Sequence, residues 1–118
     1  MNKICLTGLL CSLPTICVAA DVVIRLPQAP SVVRNVVTYA CESLPQIRVE
    51  YITAGSNALA VVPISGEVLV FAGVLSGSGA RYAAGPYIWW TKGTGADLYD
   101  QRQGDGAKPI ACQEVERG

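Results

Sequence analysis

Gln46-Ile47-Arg48-Val49-Glu50-Tyr51-Ile52-Thr53-Ala54-Gly55-Ser56-Asn57 decides the fold class of this 118-residue chain. Ile47, Val49 and Tyr51 fall on one face while Arg48 and Glu50 fall on the other, which is the period-two alternation of a half-buried strand. The stretch then enters Ala54-Gly55-Ser56-Asn57, residue types that favour tight turns. Leu44-Pro45 before it and Ile64-Ser65-Gly66 after it bound further runs of the same kind. The pattern predicts strands over 36–41, 46–53, 58–62, 67–72, 80–84, 87–91, 96–101 and 110–115. No window holds a sustained 3.6-residue apolar stripe, so the class is all-β.

Many short strands in so small a chain predict closure into an antiparallel barrel, which leaves no exposed edge. A two-sheet sandwich would use the same pattern. Leu59, Val61, Val68, Val70 and Leu98 are core candidates on hydrophobicity. Pro27 and Pro30 lack donors and belong outside a sheet, so residues 21–35 read as an extended arm and 36–118 as the barrel domain. The sequence leaves open whether the arm packs on the barrel, pairs with a second copy in a homodimer or is disordered.

Residues 1–20 read as an export signal. Lys3 gives the positive start, Ile4 to Leu13 is apolar, and Val18-Ala19-Ala20 offers small residues for cleavage before Asp21. The apolar run is too short, and too soon interrupted by Pro14, to span a membrane. Cys5, Cys11 and Cys17 lie in this segment. Lipidation wants a small residue directly before the cysteine, whereas Leu10 precedes Cys11 and Ile16 precedes Cys17. The expectation is a periplasmic protein, cleaved after Ala20, without a stable membrane anchor.

Cys41 and Cys112 then remain as one even pair in an exported chain, for which a disulfide is the default. No Cys-x-x-Cys spacing suggests redox work. Lys and Arg balance Asp and Glu at 9 each, and there is no basic stripe to hold nucleic acid. The chain has no His, which removes the usual neutral-pH acid/base and the commonest transition-metal ligand. No cofactor or metal is expected, and any partner must be recognised locally, by shape and a few polar groups.

Ser76-Gly77-Ser78-Gly79-Ala80-Arg81-Tyr82 is the stretch best suited to such contact. Small residues and two hydroxyls let the backbone pass close to another surface. Ser78 lacks the Gly-x-Ser-x-Gly frame of a nucleophile elbow, since Ser76 stands where the first Gly belongs, and no His can take its proton. The third Gly and following helix of a phosphate loop are also missing. A Ser78–Lys92 dyad would need a desolvated lysine, which exposed loop positions do not supply. Downstream, Tyr87, Trp89 and Trp90 crowd one short strand, so Trp89 and Trp90 must point to opposite faces. Lys92-Gly93 then turns the chain.

Read together, Ser78-Gly79-x-x-Tyr82 and Trp90-x-Lys92-Gly93 resemble the signature of the periplasmic and membrane-bound inhibitors of c-type lysozyme. The resemblance runs from about residue 37 to residue 115, with Tyr39-x-Cys41 at its start and Cys112 at its end. It implies an eight-stranded antiparallel β-barrel with a disulfide tying strands near the two ends, and a protein that is not an enzyme. It further implies that the Ser-Gly-x-x-Tyr loop enters the cleft of a c-type lysozyme, where Ser78 meets the catalytic carboxyls and Lys92 adds a contact. Ser78, Gly79, Tyr82, Lys92 and Gly93 are then the lysozyme-binding residues, with Tyr82 bracing the loop from below. The protected substrate would be bacterial peptidoglycan. A glycan-binding or envelope-structural barrel, using Tyr87, Trp89 and Trp90, is the alternative reading.

Overall fold

A computed structural model describes residues 8, 10, 12–14, 19–28 and 31–115. Eight strands follow one another: β1 (Val32–Cys41), β2 (Ile47–Ala54), β3 (Asn57–Ile64), β4 (Glu67–Val74), β5 (Ala80–Ala84), β6 (Tyr87–Lys92), β7 (Gly95–Asp100) and β8 (Ile110–Glu114). Each pairs antiparallel with its neighbour, and β8 returns to β1, closing the barrel. All eight expected strands are present. β1 begins at Val32, however, so residues 32–35 belong to the barrel's first strand and not to the arm. β7 stops at Asp100, and Gln101–Gln103 form a short 3-10 turn whose N-cap is the Asp100 side chain.

The hairpins follow from turn chemistry. Ser65 and Gly66 both take positive φ, 50° and 79°, the pair of left-handed residues a type I′ turn requires between β3 and β4. Gly93, at φ 57°, begins the two-residue turn from Lys92 to Gly95, where a type II′ turn places glycine. Between β2 and β3, the Asn57 amide donates to the Ala54 carbonyl at 3.0 Å and locks that turn.

The barrel is not uniform around its circumference. β1 to β4 run 10, 8, 8 and 8 residues, whereas β5 to β8 run 5, 6, 6 and 5. The halves meet along two short seams. At one, β4 meets β5 only through Ala72 opposite Ala83, Gly73 opposite Tyr82 and Val74 opposite Arg81. At the other, β1 meets β8 through Tyr39 opposite Glu114, Ala40 opposite Gln113 and Cys41 opposite Cys112. The last pair is the disulfide, with Cα atoms 4.0 Å apart, so the covalent bond closes this seam directly.

The interior is filled by alternate residues from both halves. Val49, Val62, Phe71 and Trp89 are fully enclosed, each worth about 1.5–3 kcal/mol or more in apolar surface removed from water. Tyr39 meets Trp89 edge-on at 5.2 Å between ring centres. The Tyr51 hydroxyl accepts from Trp89 Nε1 at 2.9 Å and shares a 2.7 Å hydrogen bond with the Tyr39 hydroxyl. Burial, first of all, pushes both phenols above their ordinary range, so they remain neutral donors and acceptors inside the barrel.

Val68 and Val70 correct the expected core. They are 64% and 61% exposed, while their neighbours Leu69 and Phe71 turn inward. Val61 and Leu59 are half-buried, and Leu98 is buried as expected. Cys5, Cys11 and Cys17, with most of the expected signal segment, lie outside the described residues. Among those described, no helix is long and apolar enough to cross a membrane.

Candidate functional site

The segment from Leu75 to Gly79 connects β4 to β5 above one of the two three-pair seams of the barrel. Its backbone is held at Ser78, whose carbonyl oxygen accepts two hydrogen bonds, one from the Ser76 hydroxyl and one from Trp90 Nε1 at 2.9 Å. The Ser78 hydroxyl itself is exposed and makes no hydrogen bond within the described chain. A fixed backbone therefore presents an unused donor and acceptor to solvent.

Gly79 is at φ +64°, and a Cβ there would overlap the Thr91 carbonyl oxygen and lie 2.9 Å from Lys92 Cγ. Only glycine lets the loop descend onto the β6 backbone at this point. Gly77, by contrast, has nothing within 4 Å of a built Cβ. The two glycines of this loop thus differ: one is required by a close approach, the other stands in open space.

Lys92 ends β6, and its stem crosses Gly79. Its Nζ stands 4.3 Å from the centre of the Trp90 ring, a cation–π contact. Arg81, opposite Trp90 on β5, places its guanidinium carbon 5.6 Å from the same ring. Neither cation has a carboxylate partner among the described residues. Trp90 consequently joins both sequence motifs: its ring nitrogen grips the Ser78 carbonyl, and its face carries Lys92.

Trp89 and Trp90 do point to opposite faces, Trp89 into the core and Trp90 outward beside the loop. Tyr82 is half-buried, 5.8 Å from the Tyr51 ring, and burial raises its phenol pKa. It connects the loop's strand to the core phenols. Gly93 makes the hairpin turn next to Lys92. The structure so brings Ser78, Gly79, Lys92 and Gly93 to one surface and sets Tyr82 beneath it.

The alternative platform of Tyr87, Trp89 and Trp90 is not assembled. Trp89 is enclosed, and Tyr87 packs at the core edge with its hydroxyl accepting from Arg102 at 3.0 Å. The place of Arg81 and the joining role of Trp90 are not legible in the sequence motifs. The available signal was the strand pairing, since Arg81 stands opposite Trp90 once the β5–β6 hairpin is in register. Among the described residues no cluster of His, Cys, Asp or Glu could hold a metal.

Residues 39–106 match the family described as MliC, membrane-bound lysozyme-inhibitor of c-type lysozyme. Two curated relatives carry the name membrane-bound lysozyme inhibitor of C-type lysozyme. The one from Pseudomonas aeruginosa is 51% identical over 80 residues, covering 66% of this chain and 63% of the relative. The one from Cupriavidus necator is 40% identical over 79 residues, covering 65% and 63%. The chain therefore spans less than two thirds of the length of either relative. Among solved structures, a crystal structure of Pseudomonas aeruginosa MliC in complex with hen egg white lysozyme superposes with a TM-score of 0.71 at 42% identity. It covers 82% of this chain and 98% of that one.

Proposed function

The chain belongs to the MliC family of c-type lysozyme inhibitors, and from that membership we propose that it blocks the active-site cleft of a c-type lysozyme with Ser78 and Lys92. One observation carries the reading. A single side chain, Trp90, binds the Ser78 carbonyl at 2.9 Å and stacks under the Lys92 ammonium at 4.3 Å, so both motifs form one rigid unit.

The chemistry of the target suits that unit. A lysozyme cleft holds two carboxyls, one protonated as general acid and one ionised. A serine hydroxyl both donates and accepts, so it can bond to either form. A lysine ammonium pairs with the ionised one, and the closed interface strengthens the attraction while charging a desolvation penalty. Gly77 and Gly79 keep the loop thin enough for a groove shaped to a sugar chain. Inhibition is by plugging and needs no covalent step. Export to the periplasm, with cleavage after Ala20, would put the inhibitor where it shields peptidoglycan.

Titration of a c-type lysozyme with stoichiometric protein tests the reading. Inhibition should saturate near one equivalent. Ser78→Ala should weaken it by roughly ten- to a hundredfold, the value of a hydrogen bond lost to a charged, desolvated partner. Lys92→Ala should also weaken it, by a factor that shrinks with added salt to the degree that the contact stays solvated. The double change should be non-additive, because both residues address one carboxyl cluster. Unaltered inhibition by both single variants would remove this loop from the interface.

A further inference from the structure

A hollow of about 320 Å³ opens on the outer wall of the barrel beside Trp90, between strands β5 to β7 and the segment 101–109. Ile88 forms its floor. It alternates with inward-facing Trp89 and so points outward, yet it is only 5% exposed. The 101–109 segment lies over it, and Gly104 and Gly106 take the positive φ values, 89° and 82°, that let the chain fold back.

Its walls combine three kinds of group. Trp90 and Tyr99 supply aromatic surface, and Gln101 and Gln103 supply amides. Arg81 and Lys108 supply positive charge, and neither has a carboxylate partner among the described residues. Of the two acids at the rim, Asp100 is already engaged. Arg102 holds it through side-chain bonds of 2.9 and 2.8 Å and a backbone bond of 3.0 Å, which keep its carboxyl below the ordinary range. Asp105 is exposed. The hollow therefore has an apolar floor, aromatic walls, hydrogen-bonding amides and two cations against one unpaired carboxylate, Asp105, an excess of one positive charge.

A matching ligand has an apolar ring face for the indole and phenol, polar substituents for the amides, and one anion. The volume lies at the small end of ligand sites, enough for a single ring and not for a chain. We propose that this hollow binds one carboxylate-bearing amino-sugar residue of a glycan. The proposal uses no contact with lysozyme and stands apart from the inhibitory reading, although Trp90 and Arg81 border both surfaces.

The test is a nitrogen-15 NMR titration of the protein with N-acetylmuramic acid, N-acetylglucosamine and lactate. N-acetylmuramic acid should shift the Trp90 indole signal and the amides of 104–108 with a dissociation constant on the order of 1–10 mM. N-acetylglucosamine, which lacks the carboxylate, and lactate, which lacks the ring, should each bind roughly fivefold more weakly. Lys108→Gln should weaken N-acetylmuramic acid by roughly threefold, and Tyr99→Ala by a similar factor, with lysozyme inhibition unchanged in both. Both positions are on the outer wall or its covering loop, and a thermal melt verifies that the variants fold. Equal response to N-acetylglucosamine would overturn the acidic-sugar assignment, and equal response to lactate would reduce the hollow to a general anion site. Absence of any shift at about 50 mM, several times the largest expected constant, would end the proposal.

Discussion

The two halves of the barrel carry different duties. β1 to β4 are long, pair over most of their length and expose valines such as Val68 and Val70 on the outer face of β4. β5 to β8 are shorter, yet with the Leu75–Gly79 loop that leads into them they hold the proposed plug, and Trp90, Arg81 and Lys92 converge on one outer face. The long half is scaffold built from regular alternation. In the short half, individual atoms matter: a carbonyl, a ring nitrogen, a missing Cβ.

The largest expected effect tests what holds the halves together. Replacing Cys41 and Cys112 with Ala removes a bond closing 71 residues and should cost about 4 kcal/mol in urea denaturation. A loss below about 1 kcal/mol would mean that the β1–β8 seam closes by strand pairing alone. Next is Gly79→Ala, which forces a side chain into a left-handed position against Thr91 and Lys92 and should cost about 2–4 kcal/mol along with inhibition. Gly77→Ala in the same loop should leave stability unchanged, since nothing lies within 4 Å of the added carbon. Equivalent behaviour of the two glycines would show that the loop does not rest on β6.

Smaller effects separate the halves more finely. Trp90→Phe keeps a ring for Lys92 but loses the N–H to the Ser78 carbonyl. It should lower affinity for lysozyme about fivefold, the value of one ordinary hydrogen bond, with little change in melting temperature. Smallest of all, Val68→Thr and Val70→Thr on the outside of β4 should stay within about 0.5 kcal/mol of the parent and inhibit equally. A marked loss of inhibition from either would bring the long half into the interface and erase the division of labour.

Much of this architecture is legible in the sequence, and the failures have physical causes. Strand β2 reads cleanly because Arg48 and Glu50 mark its outer face between Ile47, Val49 and Tyr51. Strand β4 does not, because Val68-Leu69-Val70-Phe71 is apolar on both faces, and nothing in the run says which alternate set turns inward. Val32 to Asn35 were lost to the arm because two nearby prolines outweighed a strand that pairing with β2 enforces from a distance. Barrel and sandwich were indistinguishable for a related reason: two four-stranded halves joined by short seams lie close to both. In the site, Ser78 and Lys92 are readable as motif residues. The joining by Trp90 is not, since it depends on the register between β5 and β6, which brings a loop carbonyl to an indole twelve positions away.

The disulfide fastens only one of the two seams. The β4–β5 seam, beneath the loop, is held by three residue pairs, two of them involving Gly73 or Ala72 with no side chain of any size. Opening fluctuations should concentrate there, so amide exchange in residues 72–83 reports the first local unfolding, well before the cystine-closed side yields. A partner that grips the loop, Trp90 and Lys92 together binds only the closed form and stabilises it by mass action. For the barrel, a bound partner is a second clasp, placed opposite the covalent one.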